Sequence, residues 1–283
     1  MKKNFNPIIE VEDDGLFIHD GHIWSEDKYK LVGGYCDIFT RGIRRVWDKL
    51  VYIDLFSGPG YCRIKESGRI LKSSPLIALS LPFTFDKYIF CDTDQNSTEA
   101  LAKRVAKYHP EKSVVCINAD VNVEIESVKQ HIPKHGNGTK VLTFCFIDPY
   151  DLNIHYDTIR TLTENKFIDV LILQAYFMDA NRNYENYIKD DNEKISKYLG
   201  CQDWRDDFQT SEYFPNDFVS YLVNEYDNKM KSLKYLEPCR SSIKIPQKNV
   251  KLYYLSFYSR HPLGNDFFQK VQAYSTDQLN LGF

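Results

Sequence analysis

Lys49–Gly60 reads KLVYIDLFSGPG. Its first half is apolar at every position from Leu50 to Ile53. That is too continuous for a strand with one wet face, and it fits a strand buried on both faces by covering helices. Its second half places Gly58 and Gly60 around Pro59, just beyond Asp54 and Phe56. A glycine turn lets a ligand approach the backbone because no Cβ stands in the way. A buried strand running straight into such a turn is how an open α/β sheet presents the crevice beyond its carboxyl ends.

Working outward, the same kind of apolar run recurs at Lys87–Asp92, Ser113–Asn118, Val141–Ile147, Asp169–Leu173 and Leu252–Tyr258. Helical patterns stand between them at Ser74–Leu81, Ser97–Tyr108, Val121–His131 and His155–Glu164. This alternation predicts right-handed crossovers and a Rossmann-like, doubly wound, mostly parallel α/β sheet. Residues 1–48 read as a ragged arm followed by a helix over Ser25–Trp47, and residues 49–177 as the core. Residues 178–248 hold no good buried strand and read as a helical insertion or cap. Residues 249–283 supply a last strand and helix that complete the core.

The chain has 283 residues, and 36 Lys and Arg face 39 Asp and Glu, a net charge of −3 that excludes a uniformly basic nucleic-acid coat. With 43% hydrophobic and 27% charged residues it is a folded globular sequence, not a disordered one. Twenty Tyr and 18 Phe point either to an aromatic core or to stacking surfaces. No apolar run approaches the ~20 residues of a membrane span, and no apolar leader follows the two N-terminal lysines, so no membrane association and a cytoplasmic location are expected. Seven cysteines occur without a C-x-x-C pair or zinc spacing. All are expected to be reduced and non-catalytic, and no metal site is expected.

The strand ends carry the chemistry. A dinucleotide site wants a third glycine where Arg63 stands and an acid about 20 residues on, but Asp92 comes 38 residues after Asp54. The D-x-F-x-G-x-G form of Asp54–Gly60 instead resembles motif I of S-adenosylmethionine (SAM)-dependent methyltransferases. On that reading Asp54, Phe56, Gly58 and Gly60 line the cofactor, and Asp54 orients the turn or meets the methionine amine. Asp92, closely followed by Asp94, holds the ribose, and Asp120 reads the adenine amine. The fourth strand ends in Asp148-Pro149-Tyr150, similar to the D-P-P-Y motif of amino-group methyltransferases. An exocyclic amine is a poor nucleophile because its lone pair is delocalised. Hydrogen bonds to Asp148 and to the Pro149 carbonyl localise that pair, while Tyr150 stacks on the base. A cytosine-C5 mechanism needs a Pro-Cys nucleophile after the fourth strand, and the only Pro-Cys pair, Pro238-Cys239, lies far downstream.

Asn181, Arg182 and His261 are candidates for substrate contact, His261 as a general base or as a structural residue. Arg41, Arg44, Arg45 and Lys49 form either a phosphate-contact strip or a solvated charged face.

Together Trp24-Ser-x-x-Lys28, Tyr52–Gly60, SPLIAL at Ser74–Leu79, Phe146–Tyr150, AYFMDANRNY at Ala175–Tyr184, Asp203-Trp204-Arg205 and YYLSFYSRHPLG at Tyr253–Gly264 resemble the three-Cys-motif partner protein family. These are methyltransferase-like proteins encoded beside a radical-SAM-type protein. The resemblance runs from about Trp24 to Tyr274. It departs from the family pattern at Ser73 and at Asp151, where glycine is usual, and Asp151 adds negative charge beside the acceptor. It implies the SAM-dependent methyltransferase fold and the radical-SAM-type protein as partner, and the Asp148-Pro149-Tyr150 motif adds the expectation of methyl transfer to a nucleobase amine in DNA or RNA. The alternative is a non-catalytic protein of the same fold that serves that partner, docking through the aromatic-rich insert (Tyr184, Tyr187, Tyr198, Trp204, Phe208, Tyr213 and Phe214).

Overall fold

The computed structural model describes residues 6–245 and 250–280, with side chains to 273. Residues 1–5, 246–249 and 281–283, which fall in the expected arm, insertion and C-terminal segment, lie outside the described residues. In chain order the main elements are β1 (His19–Gly21), α1 (Ser25–Ile43), β2 (Lys49–Asp54), β3 (Tyr61–Ile64), β4 (Ile70–Lys72) and α2 (Ser74–Leu79). They continue with β5 (Lys87–Asp92), α3 (Gln95–Tyr108), β6 (Val114–Asn118), α4 (Val121–Lys129), β7 (Val141–Ile147), α5 (Tyr156–Thr163) and β8 (Ile168–Gln174). After a π-turn at Tyr176–Ala180 come α6 (Tyr184–Tyr187), α7 (Lys194–Leu199), α8 (Trp204–Thr210), α9 (Phe218–Ser232), β9 (Cys239–Ile245), β10 (Val250–Tyr258) and α10 (Pro262–Asn280).

A seven-stranded sheet has the order β6-β5-β2-β7-β8-β10-β9. Its first five strands are parallel and β10 is antiparallel to both neighbours. A dinucleotide-binding sheet runs 3-2-1-4-5-6 with all strands parallel. Here the last strand in sequence is wedged antiparallel before the edge.

The continuous apolar strands have the physical reason expected of them. Val51 and Ile53 face one layer with Cys145, Ile147, Val170 and Ile172, while Leu50 and Tyr52 face the other with Phe144, Phe146 and Leu171. On the second face α1, α2, α3 and α10 cover an aromatic floor. There the Tyr35 ring meets Phe144 at 4.7 Å and Phe257 at 4.6 Å. On the first face lie α4, α5 and the helices of the insertion. The α1 helix runs counter to the strands, since Lys28 near its start reaches the loop after β7 while Ile43 near its end lies beside the start of that strand.

Three expectations need correction. The insertion does contain a sheet strand: β9 pairs with β10 along its length, so the insertion ends before Cys239. Its alternating polar sequence CRSSIKI is that of an edge strand with one wet face, which a search for fully apolar runs passes over. The α1 helix stops at Ile43 rather than Trp47, because the backbone must turn there to enter β2. The arm is not ragged. β1 pairs parallel to β3, which pairs with β4, and Val11 and Ile9 bond to the β4 backbone. No described helix is long and apolar enough to cross a membrane.

Candidate functional site

β2, β5, β6 and β7 all end at the same edge of the sheet, and most of the candidate residues follow from that. Gly58 (φ +60°) and Gly60 (φ +88°) adopt left-handed backbone that favours glycine. A Cβ on Gly60 would sit 2.9 Å from side-chain carbons of Leu101 and Leu76, so this glycine admits the helices rather than a ligand. A Cβ on Gly58 would lie 3.3 Å from His19 Nδ1, so the open face of the turn is roofed by the arm.

Asp92 fastens this turn to β5. Its Oδ2 accepts from Gly58 N at 2.8 Å and its Oδ1 from Asp94 N at 2.9 Å. Asp94 caps α3, accepting from Asn96 N, Ser97 N and the Ser97 hydroxyl, bonds that hold its carboxyl below the usual range. Asp120 caps α4 through Asn122 N at 2.9 Å and is otherwise exposed. The partly buried Phe56 packs on the core beside the turn.

Asp54 is sealed, at 0% exposure. One oxygen accepts from the Tyr52 hydroxyl at 3.2 Å and the other has no hydrogen-bond partner. Burial raises its pKa to about 7, with a further upward push from the Asp148 charge and only partial opposition from the neighbouring Ser74 and Tyr52 hydroxyls. Of the two roles expected for it, its burial supports orienting the turn and not direct contact with a ligand.

Asp148 lies beyond β7 with its Oδ2 2.5 Å from Lys28 Nζ, in a pair only 17% and 11% exposed. The Lys28 ammonium also stands 5.1 Å from the Tyr29 ring centre. Pro149 is buried, and Tyr150 beside it is fully exposed, with its ring free to stack. Asp151 adds no net charge here, because Lys194 Nζ lies 2.5 Å from its Oδ2. Asn122 locks the following loop by accepting from His155 N and Thr158 Oγ1 and donating to the Asn153 carbonyl. Asp179 holds the same loop to the insertion by accepting from Leu152 N at 3.0 Å and from Asn183 and Tyr187.

Other candidates fall elsewhere. Asn181 and Arg182 follow the π-turn after β8 and are exposed at the same edge as Asp148. His261 follows β10, which runs opposite to β8, so it stands at the far edge of the sheet and accepts from Leu263 N at the start of α10. It cannot serve as a base at Asp148. Arg41 pairs with Asp37, and Arg44 with Asp86 at 2.5 Å, so neither is a free phosphate contact. Cys239 pairs with Phe257 in the same far region, remote from Asp148. Burial pushes the Cys91 thiol to about 12 and the Cys116 thiol to about 11, which makes both poor nucleophiles at neutral pH. Among the described residues no cluster of His, Cys, Asp and Glu could hold a metal ion.

Sequence reasoning missed Lys28 as a partner of Asp148 and Asp179 as a loop anchor, although both lie in quoted stretches, and it missed His19 altogether.

No protein-family model matches the sequence, and none of the curated proteins compared with it does either. Among solved structures the chain is similar to protein LPL1258 from Legionella pneumophila, with TM-score 0.51 and 12% identity over 90% of this chain and 92% of that one. It is also similar to Trm1 from Pyrococcus horikoshii, solved with S-adenosyl-L-methionine, with TM-score 0.47 and 12% identity over 92% of this chain and 64% of that one. A third is the O-methyltransferase from Bacillus cereus solved with SAH, with TM-score 0.44 and 8% identity over 80% of each chain. At these identities the likeness to LPL1258 is one of fold.

Proposed function

We propose that this chain is a SAM-dependent methyltransferase that transfers a methyl group to an exocyclic amine of a nucleobase in DNA or RNA. The observation that carries the reading is the Asp148–Lys28 pair, with an exposed Tyr150 two residues on, at the same sheet edge as the glycine turn. The donor set suits an adenosyl group. Its ribose hydroxyls and adenine amine are hydrogen-bond donors, and the β5 and β6 ends offer Asp92 and Asp120 as acceptors. When bound, SAM supplies the electrophilic methyl.

The rest is work for this chain's residues. The Lys28 ammonium pairs with Asp148 Oδ2 and holds the carboxylate in place to accept an N–H of the acceptor amine. The Pro149 carbonyl takes the second N–H, and the two bonds hold the amine with its lone pair outward. Tyr150 stacks on the base. A base within a duplex must first be flipped out. Arg182 lies exposed at this edge, suited to a phosphate.

The scaffold alternative expected an exposed aromatic patch on the insertion. Tyr187, Tyr198, Trp204 and Phe208 are instead buried in the core that the insertion shares with the sheet, Tyr184 and Tyr213 are half-buried, and of the seven Phe214 stays exposed. Partnership with a radical-SAM-type three-Cys-motif protein rests on the sequence resemblance and is compatible with catalysis. Co-purification tests it.

Titration calorimetry with SAM and SAH tests the cofactor, and methyl transfer from labelled SAM to RNA and DNA tests the acceptor. Asp148→Ala should abolish turnover and leave SAM affinity nearly intact. Absence of binding by folded protein at millimolar ligand would overturn the reading.

A further inference from the structure

The N-terminal arm and the glycine turn are built as one unit. Arg104 of α3 is wholly buried and donates to Asp14 through Nε at 2.9 Å and Nη2 at 2.6 Å. Its Nη1 donates to the Phe17 carbonyl at 2.9 Å and to the Pro59 carbonyl at 2.7 Å, and its guanidinium lies 4.0 Å from the Tyr61 ring centre. Asp14 and Phe17 belong to the arm and Pro59 to the turn, so a single side chain clamps one against the other. Two residues beyond Phe17, β1 carries His19 opposite Cys62 and over Gly58.

The bonds around His19 fix its tautomer. The Ser97 hydroxyl donates to Asp94 Oδ2 at 2.6 Å, so toward His19 Nε2, 3.1 Å away, its oxygen acts as an acceptor. Nε2 therefore bears the proton, and in the neutral ring Nδ1 is left as an acceptor. That atom is the one facing the turn, 3.3 Å from where a Gly58 Cβ would stand. The side chain is 46% exposed, so part of the ring is open to solvent. Asp92, the residue expected to hold the ribose, accepts one backbone N–H on each oxygen and keeps a second lone pair on each, so an acceptor on the arm adds to its contact with the sugar rather than replacing it.

We propose that His19 is a cofactor-binding residue supplied by the N-terminal arm, and that its Nδ1 accepts a hydrogen bond from a ribose hydroxyl of the adenosyl ligand. This rests on the adenosyl-cofactor reading above. It adds a contact from outside the sheet and assigns it to the sugar rather than to the amino-acid end of the ligand.

Calorimetry with two probes, SAH and 5′-methylthioadenosine, tests it on the full chain. The second probe keeps the ribose and lacks the amino-acid end. His19→Phe keeps a flat ring and deletes the acceptor. One lost hydrogen bond corresponds to an affinity change of about two- to tenfold, so both probes should weaken by the same factor within that range. His19→Gln, whose amide oxygen can accept again, should recover part of the loss, which a purely structural role for the ring would not produce. In the wild-type protein the His19 ring 1H–13C resonance should shift on saturation with SAH, while that of His261 at the far edge stays in place.

Equal affinity of wild type and His19→Phe for both probes, a loss confined to SAH, or an unmoved His19 resonance overturns the proposal and leaves the cofactor reading standing. Failure of the wild-type protein to bind either probe overturns both.

Discussion

Replacing Lys28 by Met tests whether the acceptor site is held by charge pairing. The substitution keeps an unbranched chain of similar length and removes the ammonium from Asp148, whose carboxylate then stays mostly buried at 17% exposure. Breaking a fully buried ion pair from one side costs about 3–5 kcal/mol. Partial solvent access on both partners lowers that to about 2–3 kcal/mol. For a chain of this size the loss corresponds to a fall in Tm of roughly 3–6 °C. Asp148→Asn should cost less, about 1 kcal/mol, because Lys28 can redirect its flexible chain to water. In the double variant nothing charged is left unpaired, so it should be more stable than Lys28→Met by about 1 kcal/mol or more. Urea unfolding at pH 7.5 of the wild type, both singles and the double closes the cycle. SAH affinity, measured alongside, should be unchanged in all four, because the pair lies on the acceptor side. If the two single losses simply add in the double variant, or if Lys28→Met matches wild type within about 0.5 kcal/mol, the pair does not hold the site.

Burial raises Asp54 to about 7 and Asp169 to about 6, so the folded chain keeps protons that the unfolded chain releases near pH 4. Their contribution to stability is fully present below pH 4 and is lost as pH rises toward 7; urea midpoints across that range should decline less steeply in Asp54→Asn. Gly60→Ala combines a positive φ with a Cβ 2.9 Å from two leucine side chains, and should cost about 2–4 kcal/mol in chemical unfolding. Arg104→Lys cannot replace a fork that serves Asp14 and two carbonyls. It should expose the arm to proteolysis near Asp14 and weaken SAH binding together with it. Asp120→Ala should weaken SAH binding about tenfold, the upper end for one lost hydrogen bond, with little change in thermal stability because the residue is exposed.

The parallel core was legible because burial on both faces leaves a one-dimensional mark. The strands β2, β5, β6, β7 and β8 are each a short, largely apolar run, and the bounds of β5 and β7 coincide with the expected ones. Edge and outlying strands carry no such mark. β9 is polar on alternate residues, and β1, β3 and β4 are three or four residues long and stabilised by pairing with one another. The strand-end residues were found for a related reason. A parallel sheet brings all its carboxyl ends to one edge, so a local position in sequence becomes a common place in space.

His19 and Lys28 reach the site by another route, which explains why they were missed. Neither is at the end of a sheet strand. Lys28 sits early on α1, and that helix descends antiparallel to the sheet, so only its first turns lie level with the loop after β7. His19 is held there by the pairing of β1 with β3, by Ser97 and by Arg104, 85 residues on, which fastens the arm to Pro59. His261 shows the opposite error. It follows a strand, as Asp148 does, but that strand is antiparallel, and the same local pattern delivers it to the wrong edge. Strand direction is a property of pairing, and a local motif does not encode it. The first 48 residues, which hold no part of the main sheet, therefore supply two of the groups that flank the crevice: an acceptor nitrogen over the glycine turn and a cation on Asp148. Removing the arm alone, up to Gly21, should separate these contributions. The Lys28–Asp148 pair stays on α1 and the sheet, while affinity for adenosyl ligands should fall at least as far as in His19→Phe.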